Sequence, residues 1–127
     1  MRLLVDTHIL LWWMELHPRL AAGTRALIDD PDNEPIVSVV SFWEIAIKVR
    51  SGKLKADLAA IARVIDGQGF TRLAVEDAHL RALLTLPSHH RDPFDQLLIA
   101  QAIAENAAFL THDKAAARYP VEVIRAG

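Results

Sequence analysis

Short apolar runs alternate with helix-patterned stretches along the whole chain, and this alternation limits the possible folds more than any other feature. Residues 2–6 (RLLVD) hold three consecutive apolar residues ending at an acid, the pattern of a buried strand. Residues 7–16 predict a helix, and Pro18 is expected to open a second one running to about Asp30. Residues 35–40 (PIVSVV) read as the second strand, after which Ser41 caps a helix that runs to Ser51 and stops at Gly52. Asp57 caps the next helix, which ends near the turn Gly67-Gln68-Gly69. A strand over residues 70–75, a helix over 76–86 closed by Pro87, and a helix from Asp92-Pro93 through Asn106 come next. Residues 107–111 (AAFLT) and 121–125 (VEVIR) complete the strands. Strands alternating with helices build βαβ crossovers, so the expectation is an α/β fold with a mostly parallel sheet covered on both faces. No repeat, low-complexity tract or Gly/Ser linker interrupts the pattern, and residues 1–127 are expected to form one domain.

Composition narrows the chemistry. With no cysteine, neither disulfides nor thiolate metal sites are available. The longest apolar run, residues 9–14, is far too short to span a bilayer. Asp6 and His8 break the resemblance of the N-terminus to a signal peptide, so a cytoplasmic protein without a membrane segment is expected. A net charge of −2 means that any nucleic-acid contact must come from a local basic patch.

In parallel sheets function gathers at the carboxyl ends of the strands. Asp6 ends the first strand, and Asp113 lies two residues past AAFLT. Glu44 is expected in the first turn of the helix after PIVSVV, and Asp95 in the first turn after Pro93. Carboxylates held together repel and raise one another's pKa, a cost a fold accepts when a hard divalent cation sits among them. Mg²⁺ takes oxygen ligands and keeps several waters; it can polarise a phosphate and generate hydroxide from bound water. Each acid also has a capping reading. Ser41 to Glu44 has the form of a capping box, Asp92-Pro93-Phe94-Asp95 that of a cap, and Asp6 and Asp113 can each cap the turn or helix next in the chain. The two readings are compatible, because helix N-termini favour anions and phosphates alike. Of Asp92 and Asp95, Asp92 is the better N-cap and Asp95 the better ligand.

The segments LLVDTH (3–8), SVVSFWEIAIK (38–48), RDPFDQLLIAQA (91–102) and FLTHDKA (109–115) resemble the PIN-domain family, and within it the VapC-type ribonuclease toxins of type II toxin–antitoxin systems. The resemblance implies a three-layer α/β/α sandwich, Mg²⁺ or Mn²⁺ as cofactor, endoribonuclease activity on RNA and inhibition by a cognate antitoxin. It carries metal-binding and catalytic roles to Asp6, Glu44, Asp95 and Asp113, and a supporting role to Thr111, which matches the family's small hydroxyl position. Many similar sequences place arginine directly after the third acid, where this chain has Gln96.

Lys48, Arg50, Lys53 and Lys55 cluster at and beyond the end of the third helix, where they either grip RNA phosphates or form a solvated, dipole-favoured helix end. Arg91, Lys114 and Arg118 flank the acidic segments, and His8, His89, His90 and His112 lack zinc spacing and stay unassigned. Ile9, Trp12, Trp13 and Leu16 make the first helix apolar around most of its circumference. That pattern fits a helix wedged in the core or a groove for a partner; the resemblance implies a homodimer and an antitoxin helix laid along such a groove. A receiver-like phosphoacceptor domain is the main competitor, but it would want adjacent acids after the first strand, where Asp6 is followed by Thr7. A catalytically inactive PIN-like interaction domain is the other, and the full acidic set speaks against it.

Overall fold

The computed structural model describes residues 1–88 and 92–126. Its strands are β1 (Arg2–Val5), β2 (Glu34–Ser38), β3 (Thr71–Leu73), β4 (Ala108–Thr111) and β5 (Val123–Arg125), ordered β3-β2-β1-β4-β5 with every pairing parallel. Side chains alternate across the sheet as the pleat requires. Leu4, Ile36 and Phe109 enter one core with Leu97, Leu98 and Ile99, whereas Val5, Val37 and Leu110 enter another with Ile9, Leu10, Ile45, Ile61 and Ile65. The helices supplying these residues are α1 (Thr7–Met14), α2 (Ala22–Asp29), α3 (Val39–Arg50), α4 (Leu58–Gly67), α5 (Asp77–Leu84) and α6 (Pro93–Ala104). Helical cores on both faces of a parallel sheet make the three-layer α/β/α sandwich expected from the sequence.

Four helices end in the same way. Leu16, Gly52, Gly69 and Asn106 adopt positive φ, and the next residue's N–H returns to a carbonyl five positions back: His17 to Trp12, Lys53 to Lys48, Phe70 to Ile65, Ala107 to Ala102. These are Schellman closures, which satisfy the last carbonyls and turn the chain toward its next element. The first corrects the role given to Pro18, which comes just after a helix end; α2 begins only at Ala22. The second correction concerns α3. Its N-cap is Ser38, whose Oγ accepts the Val40 N–H at 3.0 Å, so β2 stops two residues before the apolar run does. Ser41 lies inside the helix and Glu44 in its second turn. The outer strands β3 and β5 are three residues each, shorter than the apolar runs that announced them.

Candidate acidic site at the carboxyl edge

Asp6 directly succeeds β1 and caps α1, because its extended backbone lets one carboxylate oxygen accept the Thr7 N–H at 2.7 Å. The other oxygen accepts the hydroxyl of Thr111, at the end of the neighbouring β4, at 2.6 Å. Thr111 Oγ1 in turn accepts the backbone N–H of Asp113 at 3.1 Å. Thus one buried hydroxyl ties the ends of β1 and β4 to the start of the next turn. Burial pushes the Asp6 carboxyl above its ordinary pKa, against the opposing pull of the Thr111 hydroxyl, His8 and the Thr7 N–H. Asp113 caps the short 3-10 turn Lys114–Arg118 through the Ala115 N–H at 2.9 Å. At the third position, Asp92 serves as the cap of α6, accepting from Phe94 and Asp95 N–H groups with Pro93 at the first helical position. With capping assigned to Asp92, Asp95 borders the opening between the elements. Asp6, His8, Asp95, His112, Asp113 and Lys114 line an open cavity there of about 390 Å³.

Glu44 does not line this cavity. It is 1% exposed and sits behind the wall, close enough that its charge raises the Asp6 pKa. Lys48, one helical turn on, donates to Glu44 Oε2 at 2.6 Å. Burial alone would lower the Lys48 pKa, but the hydrogen bond to Glu44 and the charges of Glu44, Asp92 and Asp95 hold it above its ordinary value. Lys48 is thus the cation of the acidic cluster, opposite in sign to Glu44 at i and i+4, a pairing that neither the phosphate-grip nor the solvated-helix-end expectation included. The spacing itself was the sequence signal that could have found it. Glu44 Oε1 is buried without a hydrogen-bond partner among the described residues, which is costly for an anionic oxygen. An all-oxygen donor set with one such unsatisfied oxygen suits a hard cation such as Mg²⁺, which keeps several of its waters and so tolerates acids spaced around a cavity.

A tighter cluster lies elsewhere. Among the described residues, Glu76, His79 and Glu105 bring ligand atoms within 4.8 Å of one another. Both imidazole nitrogens there already have partners: Nδ1 accepts the Glu76 N–H at 3.0 Å and Nε2 contacts Glu105 at 2.9 Å. The contact with His79 is the main reason Glu105 titrates below its ordinary value, and Arg2 adds to it. Arg2 also binds Glu34, so the cluster is a hydrogen-bonded strut between sheet and helices. Glu76 and His79 stand at capping-box spacing, but Glu105 and Arg2 lie far from them along the chain, so no local pattern reveals the cluster.

The remaining sequence candidates separate. Ile9 is fully buried in the core and so cannot line a partner groove. Trp12 and Trp13 are half-buried and Leu16 is 75% exposed. Trp13, Leu16, Arg25, Asp29 and Phe70 border a cavity of about 740 Å³. Trp12 packs on His17 and His112, and His112 meets His8 edge-on at 5.4 Å, so an aromatic row leads from the end of α1 to the acidic cavity. Arg50, Lys53 and Lys55 are exposed. His89, His90 and Arg91 lie outside the described residues.

Comparison with known proteins bears on the fold and the family. Residues 3–122 match the model of the PIN domain. Over 70 residues the chain is 41% identical to Ribonuclease VapC16 of Mycobacterium tuberculosis, an alignment covering 50% of this chain and 50% of that protein; the match thus spans about half the length of that relative. Among solved structures, VapBC2 from Rickettsia felis bound to a DNA fragment from its promoter is similar with a TM-score of 0.79 at 18% identity, covering 100% of both chains. VapBC-1 from nontypeable Haemophilus influenzae is similar at 0.67 and 17%, covering 98% of each chain. FitAcB from Neisseria gonorrhoeae is similar at 0.62 and 17%, covering 97% of this chain and 96% of that one. The chain belongs to the PIN domain family.

Proposed function

We propose that residues 1–127 form one nuclease domain, a Mg²⁺- or Mn²⁺-dependent endoribonuclease that is the toxin of a toxin–antitoxin pair. The observation that carries this reading is the cavity ringed by Asp6, Asp95 and Asp113, backed by the buried, unsatisfied Glu44 oxygen. Asp6, Asp95, Asp113 and Glu44 would hold the cation. When bound, the ion would polarise the phosphodiester and acidify a water for attack on phosphorus. The chain's own residues prepare the place. Thr111 orients Asp6, Lys48 fixes the Glu44 carboxylate, and Asp92 takes the capping duty that Asp95 would otherwise share. Lys114 lends a positive charge to the cavity rim, where a phosphate would arrive. The name of the M. tuberculosis relative and the VapBC complexes among similar structures support the ribonuclease and antitoxin parts of the reading. A homodimer is part of the proposal, supported by Val39, Trp43 and Ile47, which stand exposed at four-residue spacing on α3. No helix among the described residues is long and apolar enough to cross a membrane, which is compatible with the proposed cytoplasmic residence.

The test is cleavage of single-stranded RNA by purified protein in EDTA, Mg²⁺ and Mn²⁺, with Asp6→Asn and Asp95→Asn alongside. Cleavage by wild type only with a divalent ion, lost in both folded variants, is the expected result. Equal cleavage by wild type and variants, or none by wild type with either ion, would overturn the proposal.

A further inference from the structure

A second cavity, of about 270 Å³, adjoins the acidic one and is built from different chemistry. Leu11 of α1, Ile45 of α3 and Leu54 beyond α3 give it apolar walls, and Thr7, His8, Lys48 and Lys53 give it a polar, cationic rim. The two cavities share His8, and Lys48 on the rim of the second donates to the buried Glu44 at 2.6 Å. Lys53 is exposed and forms no ion pair among the described residues, so its ammonium is available to an incoming anion. The Schellman turn at Gly52 fixes its position, since the Lys53 N–H closes on the Lys48 carbonyl at 2.9 Å.

We propose that this cavity receives one nucleotide of single-stranded RNA next to the phosphate held at the acidic site, with the base between Leu11, Ile45 and Leu54 beside His8, and its phosphate on Lys53. The inference rests on the nuclease reading above and deepens it. A flat heterocycle with apolar faces and a polar edge matches apolar walls with a hydrogen-bonding rim, and splayed-out single-stranded bases are the form in which RNA is read by pockets. An acidic partner segment would find the lysines but gain little from the leucine and isoleucine walls. A purely apolar helix face would have to bury Lys53 without a counter-charge. The nucleotide uses both halves. Lys48 is already committed to Glu44, so Lys53 and the walls are the parts that discriminate.

Two measurements on the full chain test this. Methyl NMR in EDTA tracks Leu11, Ile45 and Leu54 during titration with AMP, CMP, GMP and UMP, and with inorganic phosphate. At least one nucleotide should shift these methyls in wild type and lose that effect at Leu11 and Ile45 in Leu54→Trp, which fills the cavity, while phosphate alone should leave them still. In parallel, cleavage of a randomised RNA pool with Mg²⁺ should show a nucleotide preference beside the cut that Leu54→Trp weakens about tenfold. Lys53→Ala, at an exposed position, should raise KM with little change in kcat and make the salt dependence shallower by about 0.7 in log–log slope, one phosphate's share. If no nucleotide moves the methyls, or phosphate moves them equally, the proposal is overturned whatever the nuclease assay gives. If Leu54→Trp and Lys53→Ala cleave with wild-type preference and KM but resist a partner protein that inhibits wild type, the cavity is a partner site, and again the proposal falls. Nucleotide binding without any cleavage would leave this subsite standing and sink the nuclease reading instead.

Discussion

At the scale of single residues, Asp6 carries two duties that conflict when no cation is present. It caps α1 and anchors Thr111, and burial makes its ionised form costly. Its folded-state pKa is raised above the ordinary 3.8, so in chelator the group's contribution is fully present below that value and is lost as pH rises through the folded value. Mg²⁺ relieves the ionised form, so the gap in Tm between Mg²⁺ and EDTA should widen as pH rises across this range. Paired melts at several pH values check it, and a constant gap would mean that Asp6 meets no metal. Thr111→Val removes the hydroxyl at 2.6 Å and should destabilise by roughly 1.5–3 kcal/mol, the range for hydrogen bonds to charged groups, whereas Thr111→Ser should restore most of it. Asp95→Asn is the cleaner test of metal binding, because Asp113 and Asp6 are themselves caps. It should weaken Mg²⁺ affinity by at least about 10–100-fold in calorimetry, with the EDTA melt unchanged or slightly raised. Asp6 and Asp113 were legible as carboxylates at or just past the ends of apolar runs, and Glu44 and Asp95 as acids near the starts of helices. What sequence could not display was their unequal exposure, with Glu44 behind the wall, since that depends on how α3 rolls against the sheet.

At the scale of elements, the boundary of α3 is the instructive case. Val39 and Val40 prolong an apolar run, and β-branched residues favour strands, so the run hides the point where the chain turns helical. Ser38 makes that turn by capping, and its hydroxyl also bonds the buried Gln101 amide of α6. Ser38→Ala therefore removes a cap and a buried bond between elements, and should cost about 1–2 kcal/mol in urea denaturation. A loss of only a few tenths would place the helix start elsewhere. Where caps were marked by Asp57, by Asp92-Pro93 and by Gly52, the helix boundaries were legible to within a residue or two, because side-chain chemistry there sets the backbone. The outer strands were overread because an apolar run shows burial of side chains and carries no mark of where ladder pairing ends.

For the molecule as a whole, acid stability should be governed by the strut at the far side of the sheet. Glu105 is held below its ordinary 4.5 by His79 and then Arg2, so its contribution is present above that value and lost as pH falls through the folded value. Glu105→Gln should flatten the acid limb of the Tm–pH curve while leaving RNA cleavage at neutral pH unaltered. An unchanged limb would show that other carboxylates dominate. The strut was illegible because it joins positions such as 2, 79 and 105 through the sheet order, which no local pattern encodes.

The position of β1 at the centre of the sheet has a temporal consequence. The strand made first is flanked by β2 and by β4, whose register sets Leu4 against Phe109 and Val5 against Leu110. Asp6 therefore leaves the ribosome about a hundred residues before Thr111 and Asp113 exist to meet it. Until then the emerging chain has no β4 against which to finish its core, and nothing opposite Asp6 to form the acidic cavity. For a protein that would cut RNA, this order means that the acidic cavity assembles only after the segment carrying β4 and Asp113 has emerged.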